Sequence, residues 1–175
     1  KYNRIKGFCG VLNGTSNFVI DQVESGKTFD AAMDEARRLG FAEPDSTADL
    51  DGTDVGAKLK LLRDIAFPGE TPKHIEVGQI TEESLVIPEG KGLRYVARCY
   101  RTDNGLEASM KLEVLDADHY LVGARGEQNR AIIELENGET WYVTGKGAGA
   151  WPTSEALLAD VLQIAREHKL KPDLA

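Results

Sequence analysis

The chain has 175 residues, 41% hydrophobic and 29% charged, which suits one domain over 1–175 with a real core. A net charge of −8 argues against nucleic acid and against an anionic membrane surface, since both need a basic footprint. No apolar run approaches the ~20 residues of a membrane span.

Cys9 and Cys99 sit in apolar, strand-like runs. They read as buried, reduced thiols of a cytoplasmic protein. His74, His119 and His168 have no ligand spacing, so no metal site is expected. The chain opens at Lys1 without a methionine and reads as part of a longer or processed polypeptide.

In chain order, Lys6 to Leu12 predicts a strand, followed by a switch to helix at Asn13-Gly14-Thr15-Ser16-Asn17. Thr15 or Ser16 is the expected cap, and Gly26 the expected stop. Thr28 caps a second helix whose apolar positions are Phe29, Ala32, Ala36 and Leu39, with Gly40 ending it. The polar stretch from Phe41 to Thr53 predicts a loop, and a third helix runs from about Asp54 to Phe67.

From about Lys91 the period becomes two. Leu93, Tyr95, Ala97 and Cys99 alternate with Arg94, Val96, Arg98 and Tyr100, and the alternation resumes after Asp103-Asn104-Gly105. That predicts a hairpin with one wet face. A second hairpin turns at Asn137-Gly138. A glycine loop follows, then a last helix from about Thr153 to His168 behind Pro152. The order predicts an α+β fold: a mixed, largely antiparallel sheet with helices on one face. A second sheet face without helices must meet water or another subunit, and self-pairing across it would give a two-fold homodimer.

Three segments could carry chemistry. Glu43, Asp45, Asp49, Asp51 and Asp54 place five acids in twelve residues, with Lys58 next. A solvated acidic loop is the plain reading of such a run. Pro44, Gly52 and the interspersed apolar residues make it look shaped instead. Asp54 and Lys58 also lie four apart on a helix, on a stripe that continues through Leu61 and Ile65, which predicts partial burial. The second segment is the Asn13–Asn17 turn, whose amides and hydroxyls suit a carboxylate or phosphate, or simply cap the helix. The third, Gly145-Lys146-Gly147-Ala148-Gly149, matches a dinucleotide fingerprint only superficially: its spacing differs and its strand belongs to a hairpin.

GVLNGTSNFVI (Gly10–Ile20), GFAEPDSTADLDGTDVGAKLKLL (Gly40–Leu62) and TGKGAGAWPTSEA (Thr144–Ala156) together resemble, in order, the three motif blocks of homoserine dehydrogenases. The resemblance implies NAD(P)-linked interconversion of L-homoserine and L-aspartate 4-semialdehyde, on the route to threonine, methionine and isoleucine. It implies a fold like the C-terminal domain of glyceraldehyde-3-phosphate-dehydrogenase-like proteins. By position, Lys58 and Asp54 match the catalytic lysine and its acidic partner. Glu43 and Asp49 match substrate-binding acids, and Gly14 and Thr15 match a turn lining the substrate site. Gly145, Gly147 and Gly149 match a segment near the nicotinamide of NAD or NADP, which a nucleotide-binding domain outside this chain would mainly hold. Departures from the family pattern are Phe41, Ser46, Ala150-Trp151, Glu155 and a short 69–92 segment. The competing reading is a binding or dimerisation module that kept the fold without the reaction.

Overall fold

The computed structural model describes residues 4–146. Gly147, Gly149 and the last expected helix lie outside the described residues.

Strand β1 (Ile5–Val11) feeds helix α1 (Gly14–Glu24) through two residues. The cap is Asn13, ahead of Thr15 and Ser16: its backbone is extended and its side chain accepts from the Ser16 N–H at 2.7 Å. Its carbonyl accepts from the Asn17 N–H at 3.2 Å, so the helical ladder already begins there. Helix α2 (Phe29–Leu39) is capped by Thr28 and stops at Gly40, whose φ of 77° closes the last turn. It buries Ala32, Met33 and Ala36 against Phe18 and Val19 of α1. The expected 41–53 loop contains one helical turn, α3 (Thr47–Leu50), and Gly52 then opens α4 (Thr53–Ala66).

On α4 the buried positions are Val55 and Leu59. Leu61 is 64% and Ile65 78% exposed, so the stripe that Asp54 and Lys58 share with them faces outward, contrary to the sequence expectation. The helix has two apolar stripes, and only that of Val55 and Leu59 meets the sheet.

Among the described residues the sheet has six strands in the order β2-β4-β3-β1-β5-β6. Strands β3 (Lys91–Thr102) and β4 (Gly105–Asp116) form the long hairpin. Strands β5 (Gln128–Leu135) and β6 (Thr140–Lys146) form the second, turning at Gly138 with φ 86°. Every pairing among the described residues is antiparallel except that of the short edge strand β2 (Ile75–Val77) with β4. The main core lies between one sheet face and helices α1 and α4. There Phe8, Leu93, Tyr95, Ala97, Cys99 and Met110 meet Ile20, Val55, Leu59 and Phe67.

The hairpin's second face is only partly wet. A 3-10 turn at Tyr120–Gly123 folds under it, and Leu121 and Ala124 pack on Cys9, Val11 and Val96. Arg94, expected on the wet face, is fully buried. It pairs with Glu24 at 2.9 Å and gives hydrogen bonds to the carbonyls of Leu93, Val122 and Ala124. The interior therefore accepts this charge because a carboxylate and three carbonyls receive it. Farther along the same face stand Arg98 and Glu113, joined by two hydrogen bonds of 2.6 Å, and Tyr100, bonded to Glu134.

Candidate active site

The β1–α1 turn lies beside the start of α4. Lys58 Nζ donates to Asp54 Oδ2 at 2.6 Å and to the Leu12 carbonyl at 3.1 Å. Asn13 Nδ2 donates to Asp54 Oδ2 at 2.8 Å and to Asp49 Oδ1 at 2.7 Å. One turn of helix separates Asp54 from Lys58, and α3 supplies Asp49. The side chains of Lys58 and Asp54 are 41% and 33% exposed, so the pair is partly open to solvent.

Gly52 sets where α4 begins. Its φ is 88°, and a Cβ there would stand 2.4 Å from Tyr95 Oη. That hydroxyl donates to the Gly78 carbonyl at 2.6 Å; burial, with Asp51 adding its charge, pushes its pKa up to about 12.

The acidic run separates into distinct roles. Asp45 and Asp51 accept from the backbone N–H two residues on, at 3.1 and 2.8 Å, and so build the turns. The hydroxyl and N–H of Thr47 hold the Asp45 carboxyl below its usual range. Asp49 and Asp54 share the Asn13 amide. Glu43 is exposed and makes no side-chain hydrogen bond or ion pair among the described residues; only its carbonyl is engaged, by the Ser46 hydroxyl at 2.7 Å. The structure thus brings Lys58, Asp54 and Asp49 together and leaves Glu43 on the adjoining loop.

Thr15 is buried, and its hydroxyl donates to the Phe41 carbonyl at 2.6 Å, tethering the acidic loop to α1. Gly14 permits close approach: a Cβ there would be 3.3 Å from Glu127 Cα. Asn17 fastens the same loop by donating to the Gly126 carbonyl at 2.9 Å. Glu127 in turn pairs with Lys146 at 3.2 Å, so the end of β6 that carries Gly145 reaches the loop that abuts Gly14. The sequence reading missed the bridging role of Asn13. Asn is a common cap, and nothing in the spacing shows that its amide would face two acids 36 and 41 residues away. Among the described residues no three of His, Cys, Asp or Glu gather as a metal site would require.

The family model described as homoserine dehydrogenase matches residues 1–162. The homoserine dehydrogenase of Neisseria gonorrhoeae is 33% identical over 94% of this chain, which covers 39% of that protein. A homoserine dehydrogenase structure from Thiobacillus denitrificans superposes with a TM-score of 0.84 at 29% identity, over 98% of this chain and 41% of that one. A hyperthermophilic archaeal homoserine dehydrogenase in complex with NADPH gives 0.81 at 29% identity, over 94% and 49%. The chain therefore spans well under two thirds of its relatives' length. With a family match over nearly all its residues and the Lys58–Asp54–Asp49 cluster at the β1–α1 turn, this chain belongs to the homoserine dehydrogenase family.

Proposed function

We propose that this chain supplies the substrate-binding and acid–base half of an NAD(P)-dependent oxidoreductase that interconverts L-homoserine and L-aspartate 4-semialdehyde. The observation that carries it is the Lys58 ammonium, held by Asp54 and the Leu12 carbonyl with one N–H left over. An aldehyde becoming an alcohol needs a proton at its oxygen, and Lys58 Nζ provides it; in reverse Nζ accepts it. Asp54 keeps the ammonium placed. Asp49 and Glu43 offer negative charge to the substrate's ammonium group, and the start of α1 at Gly14 and Thr15 suits its carboxylate.

The described residues do not fit a dinucleotide cradle. The β1–α1 turn carries the single Gly14, and Gly145 lies within strand β6. NAD or NADP is therefore held mainly by a nucleotide-binding domain outside this chain, and it supplies or takes the hydride when bound. The exposed Leu61 and Ile65, on the Lys58 side of α4, are suitable surface for such a domain to cover.

The open part of the sheet's second face, where Tyr100 and Ile132 are half-buried beside the Arg98–Glu113 pair, supports a two-fold homodimer. No described helix is long and apolar enough to cross a membrane. The two buried free thiols fit a reducing, cytoplasmic setting.

In the full-length protein, Lys58→Ala lowers kcat by about 10²–10⁴-fold with a much smaller change in KM. Glu43→Ala acts mainly on homoserine KM. Near-wild-type kcat in a folded Lys58→Ala protein refutes the assignment.

A further inference from the structure

We infer that Asn13 is a positioning residue that sets Asp49, Asp54 and, through Asp54, the Lys58 ammonium into one arrangement. This rests on the roles given above to Lys58 and Asp54. Asn13 is 4% exposed, and three directions of its side chain are engaged at once. Oδ1 accepts from the Ser16 N–H, while Nδ2 gives one hydrogen bond to Asp49 and one to Asp54. The amide cannot be reversed, because that would aim its carbonyl oxygen at two carboxylates and its N–H at another N–H.

An amide suits this position because it donates without carrying charge. Two carboxylates converging on one point repel unless a donor stands between them. A lysine or arginine there would supply the donor but cancel the negative charge that the substrate's ammonium needs. The amide supplies two donors and no charge. The plane of the amide is fixed by the helix it caps, so the register of α1 is transmitted to both acids. Leu12, the adjacent residue, holds Lys58 by its carbonyl, so one short turn anchors the acids and the ammonium together.

The competing account is that Asn13 only caps α1. Asn13→Ser and Asn13→Asp separate the two, since serine and aspartate cap about as well as asparagine. Serine removes the bridging amide; aspartate keeps the shape and faces the two acids with a third. In the full-length protein, Asn13→Ser is expected to lower kcat for homoserine oxidation by about tenfold and to raise homoserine KM severalfold, leaving the nicotinamide KM unchanged. Asn13→Asp is expected to lose more. In a Lys58→Ala background, Asn13→Ser should cost less than about twofold in kcat, because the group it positions is gone. Wild-type kinetics in Asn13→Asp, or the same kcat loss with and without Lys58, overturns the inference and leaves a helix cap. Failure of the wild-type protein to oxidise homoserine, or full activity of Lys58→Ala, instead overturns the proposed function and the inference with it.

Discussion

Replacing Arg94 with methionine tests how the floor of the sheet is held. The guanidinium is fully buried, while its partners Glu24 and Asp21 are 13% and 17% exposed. Methionine has similar length and returns apolar contact, but the carbonyls of Val122 and Ala124 lose their donor. Breaking a buried ion pair costs about 3–5 kcal/mol. Arg125 also pairs with both Asp21 and Glu24, and the Leu93 N–H still reaches Glu24, so neither acid is stranded. The lower end, about 3 kcal/mol, is therefore expected, which for a chain of this size corresponds to about 6–12 °C in Tm. Thermal unfolding followed by circular dichroism reads the loss, and amide exchange across 120–127 should quicken, since that segment rests on the guanidinium. Arg98→Met is the control: its pair with Glu113 is one-third exposed on the arginine side, and the loss should stay near 1 kcal/mol after solvent screening. An Arg94→Met protein within about 1 kcal/mol of wild type would show that the interior ion pair does not fasten the 120–127 segment.

Gly52→Ala combines a positive φ with a Cβ 2.4 Å from Tyr95 Oη, so it should displace the start of α4 and lower kcat in the full-length protein; unchanged kinetics would show that the helix start tolerates the shift. Gly7→Ala sets a Cβ 2.1 Å from the Tyr100 ring and should cost about 1–3 kcal/mol in urea unfolding, the range for overpacking. Burial raises the Cys99 thiol to about 11, so thiol reagents at pH 8 should label it only after unfolding, and rapid native labelling would contradict its burial. Tyr95 and Cys99 both hold their protons more tightly folded than unfolded, so their contribution to stability is complete below about pH 9. It should fall as pH rises toward about 12, which an alkaline unfolding series checks.

Much of the frame was legible because it rests on local rules. The Thr28 cap and the Gly40 stop follow from side-chain acceptors and left-handed backbone. The two hairpins follow from period-two alternation around turn residues. Strand β2 was not legible: three residues show no period, and only the edge of β4 makes them a strand. The burial of Arg94 was equally hidden, because alternation tells which face a residue takes and not what later folds over it. At the site, the pairing of Asp54 with Lys58 followed from helical spacing. Its partial burial does not come from the stripe shared with Leu61 and Ile65, since those two face outward and the β1–α1 turn does the covering. The sorting of Asp45 and Asp51 into turns, against Asp49 and Asp54 on the Asn13 amide, needed the tertiary contact.

The position of β1 in the sheet has a consequence for how the chain is made. The first of the described strands lies between β3 and β5, pairing Phe8 with both Cys99 and Ile133. Until β3 and β5 have been made, Phe8, Cys9 and Val11 have no partner strand on either side. The β3–β4 hairpin can close alone, because its strands are joined by two residues. Closing the sheet around β1 must wait for contacts distant in sequence, the slow class of folding event. A nascent chain stalled before β5 would expose an unpaired, apolar strand edge, the kind of surface that chaperones shield and that otherwise aggregates. The turn that carries Leu12 and Asn13 hangs from that same strand, so the cluster of Asn13, Asp49, Asp54 and Lys58 is anchored to the strand with the most distant partners.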